Sequence, residues 1–397
     1  MKEGWEYKKI DDISTIVGRI GFRGYTKNDL VSKPELGAIT LSPSNIINGE
    51  LSFEKCSYIS LKKYEESPEI MLAEGDVVLV KTASIGKCSI VRSLPHKATL
   101  NPQFVVFKNI KIDNEYFNYY IKSPYFQKSL KTIVGGVAIP TLSQKKLGQL
   151  EIYFPTSYDE QRRIVSYLDS SFKLIDEIKN KALKSLTEAK ALFQSALAEA
   201  TEPKEGWEEN TLKDICEIFG NYGLSVPSIP FNGIRYLRIT DITEWGELNN
   251  DLVSADADIS KQERLKDGDI LFARTGATVG KTLMYEKKFG ECLFAGYLIR
   301  YRVNKDIIFP KYLFYVTHSK KYYEWINENQ KAAAQPNISA KLYNNYYIAY
   351  PPLSTQKQIV SRLDKLSSKV RAIEEKYQKM VEECDALKQA MLRDVFE

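Results

Sequence analysis

Histidine is nearly absent from the 397 residues, with only His96 and His318 present. Hydrolases and metalloenzymes that lean on imidazole are thereby disfavoured, while carboxylate or lysine chemistry stays open. Cysteine is sparse as well. Cys56, Cys88, Cys216, Cys292 and Cys384 are scattered, odd in number and without a C-x-x-C pair. That fits a reducing cytoplasm and argues against a disulfide framework or a structural zinc site. Long hydrophobic runs are missing too: none approaches the roughly 18 residues a membrane span requires. The opening MKEGWEYKKIDD puts charge where a signal peptide would carry its apolar stretch. The expectation is a cytoplasmic chain with no metal and no membrane. What is present suffices for folding. Hydrophobic residues make up 43% and charged residues 27%, enough to bury real cores. At about 150 residues per domain the length predicts two or three domains.

An internal repeat orders the chain. Gly4-Trp5-Glu6 with Ile10, Asp12, Ile13, Ile16 and Gly18 recurs as Gly206-Trp207-Glu208 with Leu212, Asp214, Ile215, Ile218 and Gly220. GDVVLVKTASIGK (75–87) recurs as GDILFARTGATVGK (268–281) with one residue inserted. YFNYYIKSPYFQKSL (116–130) matches YLFYVTHSKKYYEWI (312–326) in its aromatic and apolar positions, and QRRIVSYLD (161–169) recurs as QKQIVSRLD (356–364). Four blocks in one order, offset by about 196 residues, make the chain two copies of one unit.

Each unit opens with a region rich in β-branched and aromatic runs (VVLVKT, QFVVFKN, LEIYFP; ILFART, YLIRYRV, YYIAYP) interleaved with helical patterns, which predicts a mixed α/β domain. A long helix follows. Neither proline nor glycine interrupts the chain between Pro155 and Pro203, or after Pro351-Pro352. A 4-3 spacing runs Ile359, Leu363, Leu366, Val370, Ile373, Tyr377, Met380, Cys384, Leu387, Met391. The same register gives Ile164, Leu168, Ser171, Ile175, Ile178, Ala182, Ser185, Ala189, Leu192, Ala196. Ten positions spaced 3.5 apart predict a coiled-coil seam. The expected organisation is a domain at 1–155, a helix at 156–203, a second domain at 204–355 and a second helix at 356–397. The whole net charge of +5 falls in residues 1–155, and residues 204–355 are neutral.

Several motifs look chemical. Gly276-Ala-Thr-Val-Gly280-Lys281-Thr282 resembles a phosphate loop but has three residues between its glycines instead of four. It predicts a strand, a tight turn and a second strand rather than a nucleotide cradle. Asn101-Pro102-Gln103-Phe104 is similar to the NPP[YF] tetrapeptide of amino-group DNA methyltransferases, yet no glycine-rich loop for S-adenosylmethionine accompanies it. Lys81-Thr82 and Arg274-Thr275 each end an apolar strand before a glycine turn that carries a second cation (Lys87, Lys281) and a hydroxyl (Ser84, Thr278). Such side chains on loops contact phosphates and base edges. The 25 tyrosines mostly alternate within strands and are expected to be core and rim rather than stacking platforms.

Two α/β domains, each followed by Pro, then Gln-x-x-Ile-Val-x-x-Leu-Asp and a heptad helix, resemble the specificity subunit of type I restriction–modification systems. Tyr350-Pro351-Pro352-Leu353 with Gln356 to Asp364 carries the likeness most specifically; Phe154-Pro155 with Gln161 to Asp169 is a degenerate copy, having Pro-Thr for Pro-Pro. The resemblance implies two target recognition domains, each reading one half of a split site on double-stranded DNA. It implies that the helices form an antiparallel coiled coil that spaces the half-sites and docks two modification subunits, with restriction subunits joining them. It implies a non-catalytic chain that binds no cofactor, S-adenosylmethionine, ATP and Mg belonging to its partners. Two other readings stand beside it: a self-contained enzyme using Gly276–Thr282 or Asn101–Phe104, and a coiled-coil protein scaffold.

Overall fold

The computed structural model describes residues 3–19, 21–135, 140–258, 263–330 and 336–397. It comprises two compact units, Met1–Ala182 with Lys379–Glu397, and Leu183–Gln378.

In the first unit a four-stranded antiparallel sheet runs Thr15–Val17, Phe104–Lys108, Val77–Val80, Cys88–Ile90. Its central strands read as unbroken apolar runs because both faces are covered. Val78, Val80, Phe104 and Val106 pack on Ile39 and Leu41 of a second sheet. Val77, Leu79, Val105 and Phe107 face the helices Asn114–Lys122 and Pro124–Ile133. The second sheet is ordered Ala98–Leu100, Gly37–Leu41, Ser57–Ser60, Leu30–Val31, and its first pair is parallel. Trp5–Lys9 pairs with Glu151–Pro155 and brings the beginning of the domain to its end.

The second unit repeats this plan. Cys216–Tyr222, Leu298–Val303, Ile270–Ala273 and Thr282–Met284 take the same order with the same antiparallel pairing. Arg235–Leu237 and Cys292–Phe294 form the parallel pair, and Glu208–Thr211 lies on Tyr347–Tyr350.

The repeated Gly-Asp is structural. Gly75 and Gly268 both sit at φ +89°, where a side chain would be strained. The aspartates that follow are buried. Asp76 accepts from the Ala73 N–H (2.9 Å) and the Lys108 ammonium (2.6 Å); Asp269 accepts from the Lys266 N–H (2.9 Å) and two guanidinium nitrogens of Arg302 (2.6 and 2.8 Å).

Gln-x-x-Ile-Val-x-x-Leu-Asp is a clasp between each domain and its helix. Gln161, buried, accepts from the Asp113 N–H (2.7 Å) and donates to the Pro155 carbonyl (2.7 Å). Gln356 accepts from the Phe309 N–H (2.7 Å) and donates to the carbonyls of Pro351 (2.8 Å) and Ile307 (3.1 Å). Eight residues on, Asp169 and Asp364 accept from the hydroxyls of Tyr119 and Tyr315, each at 2.5 Å. Both phenols are thereby held protonated, by burial first and by the carboxylate second.

The helices run Tyr158–Thr201 and Leu353–Phe396, each about 65 Å long at 1.5 Å per residue. Their ends are exchanged between the copies. Leu392 and Phe396, at the end of the second helix, complete the core of the first domain, where Phe396 meets the rings of Tyr116 and Tyr120 at 5.4 Å. Phe193 and Leu197, at the end of the first helix, complete the core of the second. Within each unit the two helices run antiparallel, marked by Lys179–Asp385 and Lys388–Asp176 in one and by Lys190–Glu374 and Arg362–Glu199 in the other.

Leu168, Ile175, Leu363 and Val370 are buried, with Ile164, Ile359 and Leu366 half-buried. Four residues of the expected seam are exposed instead. Ile178 is 49% exposed, Leu192 60%, Ile373 38% and Leu387 51%. The line shifts by one residue at these places, to Lys179, Phe193, Glu374 and Lys388. The polar three are held by ion pairs to the other helix, and the long aliphatic stems of Lys179 and Lys388 lie along it, whereas the Glu374 carboxylate is largely buried.

Candidate nucleic-acid interface

The two cation-bearing hairpins have one geometry. In the first, Val80 N–H donates to the Lys87 carbonyl (2.8 Å) and Gly86 N–H to that of Val80 (3.1 Å). In the second, Ala273 N–H donates to Lys281 (2.8 Å) and Gly280 N–H to Ala273 (3.0 Å). Gly86 (φ +93°) and Gly280 (φ +88°) make the turn possible. The strand ends are clamped alike: Thr82 bridges to Thr141, and Thr275 to Asn337. Lys81 and Arg274 are therefore fixed at equivalent places by their backbones.

Among the described residues their side chains meet no counter-charge. Among the described residues neither Lys81 nor Arg274 forms an ion pair. Half-burial lowers the Lys81 ammonium below its usual range. Arg274 lies over the Tyr222 ring, its central carbon 5.0 Å from the centroid, and its Nε is shielded from solvent without a partner.

Arg274 also borders a cleft of about 720 Å³ with Tyr222, Ser225, Tyr236, Thr240 and Tyr297. Tyr222 and Tyr297 are exposed (43% and 58%), so these two tyrosines stand on the rim available for stacking. The alternation rule missed them. Glycines beside them were the available signal, for a Cβ on Gly223 would lie 2.2 Å from the Phe294 carbonyl and one on Gly296 2.7 Å from Ser225 Oγ. The other hairpin residues are less uniform. Lys87 is exposed and lines a cleft of about 1040 Å³ with Lys122, Asp169 and Lys388. Ser84 and Lys281 are half-buried, and the Thr278 hydroxyl is spent on the Thr275 carbonyl (3.1 Å).

Neither catalytic motif has the form its chemistry needs. Thr282, where a phosphate loop would offer a hydroxyl to a metal, is buried in a strand and bonded to Thr317 Oγ1 at 2.8 Å. Asn101 and Gln103 bond each other in a turn, and Phe104, which would have to stack on an extruded base, is fully buried in the core.

Comparison with known proteins decides the family. The model of the type I restriction modification DNA specificity domain matches twice, over residues 2–188 and 204–383. The chain belongs to the type I restriction–modification DNA specificity family. It is 22% identical over its whole length to the EcoKI specificity subunit of Escherichia coli K12 and 20% identical to the StySPI specificity subunit of Salmonella potsdam, covering 89% of each. A solved chain from work on complex assembly and conformational transition of the type I R-M system shares the fold, with a TM-score of 0.76 at 21% identity over 100% of this chain and 98% of that one. Specificity subunits are recognition proteins, not catalysts, and the two matches fall one on each copy of the repeat. Among the described residues no helix is long and apolar enough to cross a membrane.

Proposed function

We propose that this specificity subunit reads a bipartite site on double-stranded DNA, one half per domain, in the cytoplasm. The carrying observation is that both copies hold a half-buried cation, Lys81 in one and Arg274 in the other, on the same clamped hairpin and without a counter-charge among the described residues. A cation desolvated without an acid is unfavourable unless something anionic or rich in acceptors completes it; DNA supplies both. Thr82, Ser84 and Lys87 accompany the first cation, and Thr275, Thr278 and Lys281 the second. The helices set the gap between half-sites and dock two modification subunits, with restriction subunits joining the complex. S-adenosylmethionine, ATP and Mg belong to those partners, and this chain binds none of them. The test is to express the chain with its modification partner in a host free of other such systems and to map adenine methylation by single-molecule sequencing. A split motif is expected. A continuous motif, or none, overturns the reading.

A further inference from the structure

The second domain contains six arginines, and the structure commits five of them. Arg238 is tied to Asp241 and Asp251, Arg264 to Glu291, Arg300 to Glu263, and Arg302 to Asp269, while Arg235 donates to the carbonyls of Asn249 and Asp251. Arg274 has no acceptor among the described residues, yet it is not loose. Its backbone is held on both sides, by Arg274 N–H to the Tyr297 carbonyl (3.1 Å) and by Ile338 N–H to the Arg274 carbonyl (2.9 Å). Its guanidinium lies over the Tyr222 ring, 5.0 Å from the centroid, at the edge of the cleft that Tyr297 rims. A guanidinium so restrained loses little further freedom on binding and presents parallel N–H donors in a fixed fork.

Building on the reading that this domain contacts DNA, we infer that Arg274 determines specificity at one base pair by donating two hydrogen bonds to a guanine, at O6 and N7 in the major groove. Guanine alone among the bases offers two acceptors side by side there. A phosphate could also accept a fork, but it needs only charge, whereas Arg274 is restrained over the Tyr222 ring at the rim of a cleft, which matters for a flat partner. Lys81, at the same place in the first domain, is a point charge and cannot make that paired contact. The inference is thus confined to one half-site.

The experiment uses the assembled complex with its modification subunits. The methylation motif is mapped for the parent chain, R274A and R274K, and binding is measured on duplexes in which each guanine of the motif is replaced in turn by 7-deazaguanine. The expected result is that R274A and R274K both relax one guanine in one half-site, the other half and the gap being unchanged. A single 7-deazaguanine in that half should weaken binding of the parent complex about ten-fold or more. A motif unchanged in R274A, with only less methylation overall, would make Arg274 a phosphate contact and overturn the inference. Should R274A fail to assemble, the 7-deazaguanine series on the parent complex still decides, and no sensitive guanine in either half-site overturns it. Failure of the parent complex to yield a split motif would instead sink the recognition reading itself.

Discussion

Where the first domain places Asn48 before Gly49-Glu50-Leu51, the second places Trp245 before Gly246-Glu247-Leu248. Asn48 and Gly49 form a two-residue hairpin turn with φ of +52° and +81°, a conformation that asparagine and glycine tolerate and tryptophan does not. The second copy has one residue more in this turn, which frees Trp245 from the left-handed region. It packs on Phe193 (5.1 Å) and beneath Arg371 (5.3 Å), and the cleft between domain and helix shrinks to about 520 Å³ from about 1040 Å³ in the first unit. Lys122 in the first cleft, bonded to the Gly49 carbonyl, is replaced by buried His318, bonded to that of Phe314. Val106, deep in the first core, is replaced by Arg300. The two copies keep the hydrogen bonds that hold the backbone and vary the side chains that face clefts. A recognition scaffold of this kind can change what it reads without changing how it folds.

The clasp should respond equally in both copies. Q161L and Q356L each leave a part-buried N–H and a buried carbonyl unmatched, and each should cost its own unit about 3 kcal/mol. Three of the four tryptophans (Trp207, Trp245, Trp325) lie in the second unit, so urea unfolding followed by their fluorescence separates the two losses. A cost below about 1 kcal/mol in either copy would break the equivalence.

Acid should strike the second unit harder. Burial holds His318 down at about 4, against 6.5 when exposed. The folded form therefore resists a proton that the unfolded form takes up. Stability is complete above pH 6.5 and falls as the pH drops toward 4, by about 3 kcal/mol at the low end. Melting curves across this window should be flatter for H318Q than for the parent. An unchanged slope would mean that His318 does not titrate as its burial dictates.

W245N should destabilise the second unit by about 2 kcal/mol, since the ring is half-buried, and should open its cleft toward the size of the first; denaturation with a crystal structure checks both. Among the described residues two buried nitrogens of Arg300 have no partner, so R300M should be neutral or stabilise by about 1 kcal/mol in the same assay. The smallest effect is expected at the displaced helix positions, where I178K and I373K should stay within about 0.5 kcal/mol of the parent. A larger loss at either would return that residue to the seam.

The repeat, the α/β class, the long helices and the hairpin at 75–87 were legible because each is written locally, in periodicity or in glycine placement. The clasp was visible as a motif but not as a mechanism, for Gln161 and Gln356 act on carbonyls and N–H groups distant along the chain. The heptad reading misplaced Ile178, Leu192, Ile373 and Leu387 because the line shifts by one residue there, to the stems of Lys179 and Lys388, to Phe193 in a domain core and to Glu374 in an ion pair. Tyr222 and Tyr297 were hidden by a rule that counts alternation and ignores a glycine next door. Arg300 could not be foreseen: its counterpart is a valine, and only Glu263, distant along the chain, makes the exchange possible.

The exchange of helix ends governs the order in which the protein can finish folding during synthesis. Domains ordinarily mature in the order they leave the ribosome. Here everything the second unit uses, Leu183–Gln378, is available before residues 379–397 emerge. The first domain, made earliest, waits for Leu392 and Phe396 to close over Tyr116 and Tyr120. Its apolar groove therefore remains open until Phe396 has been made. A product ended before Leu392 would expose that groove to chaperone or protease.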